Sequence, residues 1–317
     1  MKEVLESFQP VPPNPRAPMA HATSVLLMAH GTPARLEELE AFLERVMGRL
    51  PSATMVETIR ERYRAIGGHS PLLEITQQQA TDLEAELGRQ GLDIPVYVGM
   101  RHSYPFIIDA VTQMKERGVQ QVGTLCLAPQ YSTWSVDAYH RALHEALLKT
   151  DAKFSLFPVN DWHREPCLLD AFAEQLQKAM RSHAPDLTLF TAHSLPDVPE
   201  DDPYPRAIED TAKEVARRVP CGVWRVAYQS RGLRAGHWLE PDVETCIRQA
   251  AHQGIKKILI APIGFVSDHI EILYDIDILY RQIAQSVGIV LCRMASLNTH
   301  PHLIRAMAAA IRHVLPS

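Results

Sequence analysis

The chain has 317 residues, of which 46% are hydrophobic and 22% charged, and its formal net charge at pH 7 is −5. This length suits two domains that each bury a core, and the composition excludes a fibrous or extensively disordered protein. Because the sequence has no block of Lys and Arg, neither duplex nucleic acid nor an anionic membrane is expected as a partner.

The five cysteines are scattered, odd in number and never arranged as a CxxC pair. Neither a disulfide framework nor an iron–sulfur cluster is therefore expected, and a cytoplasmic location fits best. The proline-rich residues 1–22 lack the apolar core of a signal peptide and are predicted to form a flexible leader. No apolar run approaches the roughly 18 residues that a membrane-spanning helix needs, so a soluble protein is predicted.

Short apolar runs alternate with segments of helical period, which is the pattern of βα units in parallel sheets. In chain order, the predicted strands are Ser24–Met28, Val96–Gly99, Gln121–Ala128, Phe154–Val159, Leu187–Ala192, Val223–Gln229, Lys257–Pro262 and Ile289–Met294. Predicted helices between them include Glu37–Met47, Leu72–Leu87, Pro105–Arg117, Tyr204–Arg218, Asp242–Gln253, Asp268–Ala284 and Pro301–His313.

Eight strands predict an α/β fold of two open, doubly wound sheets with four parallel strands each. A single eight-stranded barrel is the alternative, but the long polar stretches Met47–Pro71 and Ser194–Tyr204 favour two sheets. The predicted division is a leader over 1–22, a first domain over 23–150, a second over 151–299, and a final helix over 300–317 that packs back on the first domain.

Ligands of open parallel sheets bind beyond the carboxyl ends of the strands. Polar and ionisable residues follow several predicted strands, at residues 29–33, 101–102, 129–133, 191–194, 229–231 and 264–271. The glycine-rich fingerprints of nucleotide sites and the nucleophile elbow of serine hydrolases are absent from the sequence. The pair His300 and His302 flanks a proline and is interpreted as a helix start rather than a metal site.

Two segments resemble signature segments of ferrochelatases, the enzymes that insert ferrous iron into a porphyrin: FTAHSLPD at Phe190–Asp197 and PIGFVSDHIEILYDID at Pro262–Asp277. Further stretches resemble the same family in the same order: RYRAIGGHSPL, LAPQYST, DPYP, YQS and WLEPD. The resemblance covers nearly the whole chain after the leader and is greatest to the short bacterial members. It implies two similar Rossmann-like domains with the porphyrin in the cleft between them.

By this resemblance, His193 matches the catalytic histidine of the family and Glu271 its catalytic glutamate, on one side of the macrocycle. Metal insertion requires removal of two pyrrole N–H protons while a hydrated divalent ion sheds its water. An imidazole with a pKa of about 6.5 can accept a proton or bind a metal near neutral pH, and a carboxylate is an oxygen ligand and a base. Two ligands also hold an ion loosely enough to release it, unlike a closed four-ligand site.

Asp275 lies four residues after Glu271, which on a helix places both carboxylates on one face. Asp275 is therefore a candidate metal ligand. The family's acidic line continues one turn further, but Leu279 stands at that position in this chain. Asp277 points away from this face and is interpreted as a solvated charge.

His30 belongs to the motif AHGTP. At this position related bacterial ferrochelatases have a tyrosine, which approaches the porphyrin from the face opposite the His–Glu pair. A neutral imidazole can bind the iron of a finished haem, so His30 is a candidate axial ligand of the product. The alternative is a histidine that only bonds the loop backbone.

Segments that line the porphyrin cleft in the family carry Arg and hydroxyl side chains here, which suit carboxylates such as propionates. The resulting candidates for porphyrin binding are His30, Arg62, Tyr63, Ser70, Arg101, His102 and Thr133. For each of them apart from His30, a helix-end or surface hydrogen bond is the alternative.

The sequence thus predicts a ferrochelatase of haem biosynthesis that takes ferrous iron and a porphyrin as substrates, with coproporphyrin III favoured over protoporphyrin IX. No tightly bound cofactor is expected, the chain is expected to be a monomer, and other enzymes of haem synthesis are possible partners. Two alternatives stay open. The first is a chelatase that inserts iron or cobalt into sirohydrochlorin, because AHGT also resembles the active-site segment of those enzymes. The second is a haem or porphyrin carrier without turnover, which would use the same cleft.

Overall fold

The computed structural model describes residues 22–232 and 236–316, so the predicted leader lies outside the described residues except for Ala22. Eight strands form two parallel four-stranded sheets. The first sheet contains β1 (Thr23–Ala29), β2 (Val96–Met100), β3 (Gln121–Cys126) and β4 (Ser155–Val159). The second contains β5 (Leu187–His193), β6 (Trp224–Gln229), β7 (Lys257–Pro262) and β8 (Val290–Arg293).

The two sheets repeat one topology. Their strand orders are β2-β1-β3-β4 and β6-β5-β7-β8, and every strand pair is parallel. The central strands are buried on both faces, which explains their continuous apolar runs such as VLLMA in β1 and ILIAP in β7. The predicted pair of doubly wound sheets is therefore confirmed, and the single-barrel alternative is wrong.

Helices cover both faces of each sheet. In chain order they are α1 (Leu39–Met47), α2 (Ala53–Ala65), α3 (Leu72–Arg89), α4 (Ile107–Glu116), α5 (Val136–Thr150), α6 (Pro166–His183), α7 (Tyr204–Arg218), α8 (Val243–His252), a π-helix (Glu271–Tyr280), α9 (Arg281–Ser286) and α10 (Pro301–Val314). The stretch Met47–Pro71, treated above as a polar excursion, contains α2, which begins where the Ser52 side chain accepts a hydrogen bond from the N–H of Met55.

The predicted domain boundary between residues 150 and 151 is wrong, because it separates β4 from its sheet. β4 pairs with β3 from Gln121–Ser155 to Leu125–Val159. β4 is an edge strand, and most of its side chains are only partly buried. Its apolar pattern is therefore weak, and the sequence does not indicate which of the two sheets it joins. The first sheet is complete only after Val159.

The final helix, α10, packs between the two halves. It lies on α3, β3 and β4 of the first half and on α6 of the second. Gly123 in β3 leaves room for this contact, since a Cβ there would lie 3.2 Å from Leu315 Cδ2. Buried residues of both halves consequently belong to one hydrophobic cluster that includes Leu27, Phe172 and Met307.

The segment predicted as one α-helix over Asp268–Ala284 is instead the π-helix followed by α9. Its apolar residues fit an α-helical period equally well, since Ile272, Ile276 and Tyr280 are buried and Leu279, three residues after Ile276, packs against the same core. The wider turns of a π-helix are rare and often occur at functional sites. Among the described residues, no helix combines the length and apolar character needed to cross a bilayer.

Candidate active site

His193 is the last residue of β5, at the carboxyl end of the second sheet. Its Nδ1 faces the carbonyl oxygen of Ser194, and the Tyr204 hydroxyl donates to the carbonyl of His193 at 3.1 Å. Because a carbonyl only accepts hydrogen bonds, Nδ1 carries a proton and Nε2 is left to take up a proton or a metal ion. The imidazole is thus held through Nδ1 by the backbone, and its Nε2 remains able to bind a proton or a metal ion.

The loop after β7 crosses directly over β5 at Gly264. A Cβ at Gly264 would lie 2.5 Å from the Cβ of Ala192 and 2.7 Å from its Cα, so only glycine fits. The N–H of Gly264 donates to the carbonyl of Thr191 at 3.0 Å. The PIGF motif therefore brings the loop that leads to Glu271 against the strand that ends in His193.

Glu271 is the first residue of the π-helix, and its carboxylate lies between two imidazoles. Its Oε1 is 3.3 Å from Nε2 of His193, and its Oε2 is 3.4 Å from Nε2 of His269. Gln229 Nε2 donates to the backbone carbonyl of Glu271 at 3.1 Å, while Gln229 Oε1 accepts from the Thr191 hydroxyl at 2.7 Å. The structure thus brings the two predicted catalytic residues into direct contact.

Each member of this pair changes the pKa of the other. Burial alone would lower the pKa of His193, but the nearby Glu271 carboxylate raises it above the usual value of 6.5. Burial likewise opposes ionisation of Glu271, yet His193 and His269 hold its pKa well below its usual value. Glu271 is consequently a permanent anion near neutral pH, and His193 is the group that gains and loses a proton.

Asp275 lies one turn further along the π-helix, and its carboxyl group is almost completely buried. Burial, with a smaller contribution from the Glu271 charge, raises its pKa to about 6. Arg62 of α2 reaches it from the first half, with 3.9 Å between Arg62 Nη1 and Asp275 Oδ1, and its guanidinium lies 5.3 Å from the Tyr274 ring centre. Leu279 packs against the apolar core of the second half.

Asp277 was interpreted above as a solvated charge, and this interpretation is wrong. Its two carboxylate oxygens each accept a hydrogen bond from the guanidinium of Arg293, both at 2.9 Å. Arg293 also donates to Asp268 at 3.2 Å. Asp277 therefore anchors the π-helix to β8 through Arg293.

His30 follows β1, at the carboxyl end of the first sheet, and its side chain is exposed although the Phe42 and His102 rings pack against it. Its Nδ1 is 3.3 Å from the carbonyl oxygen of Gly31. Loss of hydration lowers the pKa of His30, so the imidazole is neutral near pH 7. The charges of Glu271 and His193 also contribute to the pKa of His30.

His102 supports His30 from behind. Their ring centres are 4.7 Å apart, and the Phe42 ring contacts both imidazoles at 6.0 and 6.5 Å. Burial lowers the pKa of His102 to about 3, so this imidazole is neutral too. His102 is buried, which makes it a packing partner of His30 in this structure rather than a surface of the cleft.

Tyr63 and Ser70 are buried in the first half. The Tyr63 hydroxyl is 3.1 Å from the Thr32 hydroxyl, and burial raises the pKa of Tyr63 to about 12. The Ser70 hydroxyl accepts from the N–H of Leu72 at 3.4 Å, at the start of α3. Both side chains thus brace the loops of this half, and their predicted contacts with porphyrin stay predictions.

Arg101 and Thr133 lie at the carboxyl ends of β2 and β3. The Arg101 guanidinium is half-buried, and this burial lowers its pKa. The hydroxyl and the backbone N–H of Thr133 both donate to Asp202 Oδ2, at 2.8 and 3.2 Å. Thr133 therefore joins the two halves near the cleft, and its predicted role in porphyrin binding likewise stays a prediction.

Some residues that shape this site were not assigned a role from the sequence. Gln229 was noted only as a polar residue after a strand, and nothing indicated that it bonds the backbone of Glu271. Phe265 lies between the two site imidazoles, with ring centres 6.4 Å from His193 and 4.9 Å from His269. The position of Phe265, between Gly264 and the segment that leads to Glu271, could have indicated from the sequence that it lies at the site.

Comparison with known proteins assigns the chain to a family. The family model described as ferrochelatase matches residues 22–315. A ferrochelatase of Herpetosiphon aurantiacus is 36% identical over 302 residues, covering 92% of this chain and 99% of the relative. A coproporphyrin III ferrochelatase of Geobacillus kaustophilus is 36% identical over 298 residues, covering 90% and 94%.

Solved structures agree on the fold. The sirohydrochlorin chelatase SirB of Bacillus subtilis, in complex with cobalt, superposes with a TM-score of 0.56 at 9% identity, covering 93% of this chain and 95% of SirB. CbiX, described as the terminal enzyme of sirohaem biosynthesis in denitrifying bacteria, gives 0.53 at 13% identity, covering 92% and 100%. With the family match over nearly the whole chain, these findings show that the protein belongs to the ferrochelatase family and is a porphyrin metal chelatase.

Proposed function

We propose that this protein inserts ferrous iron into coproporphyrin III in haem biosynthesis. The observation that carries the proposal is the contact between His193 and Glu271 at the carboxyl end of the second sheet, with the neutral His30 at the end of the first. Relatives named coproporphyrin III ferrochelatase at 34–36% identity support this substrate over protoporphyrin IX.

The reaction releases two protons. Two pyrrole N–H bonds break, the nitrogens bind the iron, and the ion gives up its water. Glu271 remains a carboxylate because its pKa is depressed, so it attracts the cation and is a weak base. Neutral His193 is the better proton acceptor, since its raised pKa favours the protonated form once a proton arrives.

The second carboxyl group extends this path. Asp275 has a pKa of about 6 and is therefore mostly ionised at neutral pH but close to its midpoint. A buried carboxyl poised in this way can take a proton from the His193–Glu271 pair or hold the ion for a short time. We assign it the role of an accessory ligand or proton acceptor.

On the other side of the cleft, His30 provides a neutral imidazole. Its Nδ1 faces the carbonyl of Gly31, so Nε2 is the nitrogen left for a ligand. We propose that Nε2 binds the iron of the product as an axial ligand. This role distinguishes the first half, which holds the product, from the second half, which moves protons and metal.

The test is anaerobic insertion of ferrous iron into coproporphyrin III, protoporphyrin IX and sirohydrochlorin in parallel. We expect multiple turnovers and the highest kcat/KM with coproporphyrin III. His193→Ala should still bind porphyrin while its insertion rate falls by about 10²-fold or more. Faster insertion into sirohydrochlorin, or consumption of only one equivalent of porphyrin per protein, would replace the proposal with one of its two alternatives.

A further inference from the structure

A buried glutamine of the first half reaches the catalytic loop of the second. Gln79 lies in the middle of α3 and is completely buried. Its Nε2 donates to the Ser267 hydroxyl at 2.9 Å and to the backbone carbonyl of Asn298 at 2.6 Å. The amide group therefore uses both of its N–H bonds on the other half of the molecule.

The residues that Gln79 contacts belong to a closely bonded segment. The N–H of Asp268 donates to Asn298 Oδ1 at 2.8 Å, and Asn298 Nδ2 donates back to Asp268 Oδ2 at 2.9 Å. Nδ1 of His269 lies 3.0 Å from the carbonyl oxygen of Ser267. Displacement of Ser267 or Asn298 would thus move His269 and, two residues later, Glu271.

The other end of this segment is held from within the second half. Gln229 is also buried, and its Nε2 donates to the carbonyl of Glu271. Gln229 belongs to the same sheet as His193, whereas Gln79 belongs to a helix of the other half. The position of Glu271 relative to His193 consequently depends on both halves, and Gln79 is one of the contacts that the first half contributes.

The helix that carries Gln79 also begins beside Ser70, which the family resemblance predicts to contact the porphyrin. α3 starts at Leu72, whose N–H donates to the Ser70 hydroxyl, and Gln79 follows two turns later. A single helix therefore lies between the Ser70 hydroxyl and the Ser267 hydroxyl. α3 thus joins Ser70, a predicted porphyrin-binding residue of the first half, to the segment of the second half that leads to Glu271.

We propose that Gln79 is a positioning residue for metal insertion, which holds the Ser267–Glu271 segment so that the Glu271 carboxylate stays in contact with His193. The proposal rests on the proposed function for its catalytic readout. Gln79 itself touches neither substrate. Its effect is on the rate of the chemical step, while the cleft residues that bind porphyrin are left in place.

The principal variant is Gln79→Met, which keeps the length of the side chain and removes its hydrogen bonds. The matched control is Gln77→Met, two residues earlier on α3, where the side chain is exposed. We expect Gln79→Met to reduce kcat about tenfold or more, with the KM for porphyrin changed less than about threefold, and Gln77→Met to behave as the wild type. A kcat within about twofold of the wild type would overturn the proposal.

A second variant keeps the test decisive if Gln79→Met does not fold. Ser267→Ala removes one of the two acceptors of Gln79 and leaves the bond to Asn298. It should lower kcat in the same direction but by less, again with little change in KM. An increase in KM with kcat preserved would show that the contact shapes the porphyrin site instead, and the proposal would be wrong.

A readout in the ligand-free protein separates this proposal from the proposed function. Amide hydrogen exchange should accelerate over residues 267–275 in Gln79→Met and stay unchanged over β5. Unchanged exchange over 267–275 would contradict the positioning role whatever the substrate is. If the wild type fails to insert iron into coproporphyrin while exchange responds as expected, the proposed substrate is wrong and the positioning role stands.

Discussion

Nε2 of His193 lies 3.3 Å from Oε1 of Glu271, and this contact joins the last residue of β5 to the first residue of the π-helix. The two side chains are each about one-third exposed, so both remain accessible from the cleft. Because a carboxylate favours the protonated form of a neighbouring imidazole, the pair sets the pH at which His193 becomes a base.

The pH dependence of metal insertion should therefore shift in Glu271→Gln. In the wild type the pKa of His193 is raised, so the neutral imidazole, and with it the rate, increases with pH through a midpoint above about 6.5. The variant lacks the carboxylate that raises the pKa, while burial, which lowers it, remains. Its midpoint should lie at lower pH, and its maximal rate should fall by about 10²-fold or more.

The measurement is kcat/KM for porphyrin between about pH 5 and pH 9. His252→Ala serves as the control, because His252 is an exposed histidine at the end of α8. A midpoint in Glu271→Gln equal to or above that of the wild type would mean that another group governs the profile.

Asp275→Asn should stabilise the protein at alkaline pH although it impairs the site. The pKa of Asp275 is raised to about 6 from 3.8, so the folded state binds its proton more tightly than the unfolded state does. The free energy of unfolding contributed by this group is thus present below about pH 4 and is lost as pH rises through about 6. At pH 8 the variant should gain at most about 3 kcal/mol, since one pKa unit corresponds to about 1.4 kcal/mol.

Urea unfolding at about pH 4, 6 and 8 checks this expectation. Asp277→Asn, in the same helix, should have the opposite effect at pH 8, with a loss of about 1–3 kcal/mol, because it removes a charged acceptor from the partly buried Arg293. A difference between Asp275→Asn and the wild type that does not depend on pH would contradict the assignment of the raised pKa.

All eight strands follow from the sequence, because buried parallel strands such as β1 and β7 are short, continuous apolar runs. The strand-end positions of His30 and His193 follow as well. The π-helix was missed because its apolar residues, spaced by three and four, fit the α-helical period, so the sequence carried no sign of the wider turns. The misassigned element carries the predicted site residues Glu271 and Asp275, and functional sites are where local sequence rules are most often broken.

Contacts between the two halves could not be predicted from the sequence, for a different reason. Gln79 and Ser267 are 188 residues apart, and no periodicity relates a glutamine on one helix to a loop of another sheet. The same holds for Arg62 and Asp275, which meet only because α2 of the first half contacts the π-helix of the second. Burial of His102 was equally hidden, because a polar residue after a strand suggests exposure until its partners are known, and the burial of Tyr63 in α2 was hidden as well.

His30→Ala should change the spectrum of the bound product. If Nε2 of His30 binds the iron, its removal takes away an axial ligand, so the Soret band of bound iron coproporphyrin should shift and its dissociation constant should rise about tenfold or more. Titration of the purified variants with the iron porphyrin measures both. His252→Ala again serves as the control, and a His30→Ala spectrum identical to that of the wild type would leave His30 as a residue that bonds the loop backbone.

Gly264→Ala tests whether the close contact between the β7 loop and β5 is required. The added methyl group would lie 2.5 Å from the Ala192 Cβ and 2.7 Å from its backbone Cα, neither of which can rotate away. The loop or the strand must therefore move, which should lower the free energy of unfolding by about 1–3 kcal/mol. Ala192 precedes His193, and the loop leads to Glu271. The 3.3 Å contact between His193 and Glu271 should therefore lengthen, and kcat should fall.

Gly88→Ala is the matched control, because Gly88 lies in α3 and an added Cβ there meets no heavy atom within 4 Å. This variant should be neutral or gain up to about 1 kcal/mol, as alanine is the better residue within a helix. Urea unfolding and the iron insertion assay, applied to both variants, separate the two effects. Wild-type stability and kcat in Gly264→Ala would mean that the loop can retreat without disturbing the catalytic pair, and the close approach would then have no role in positioning it.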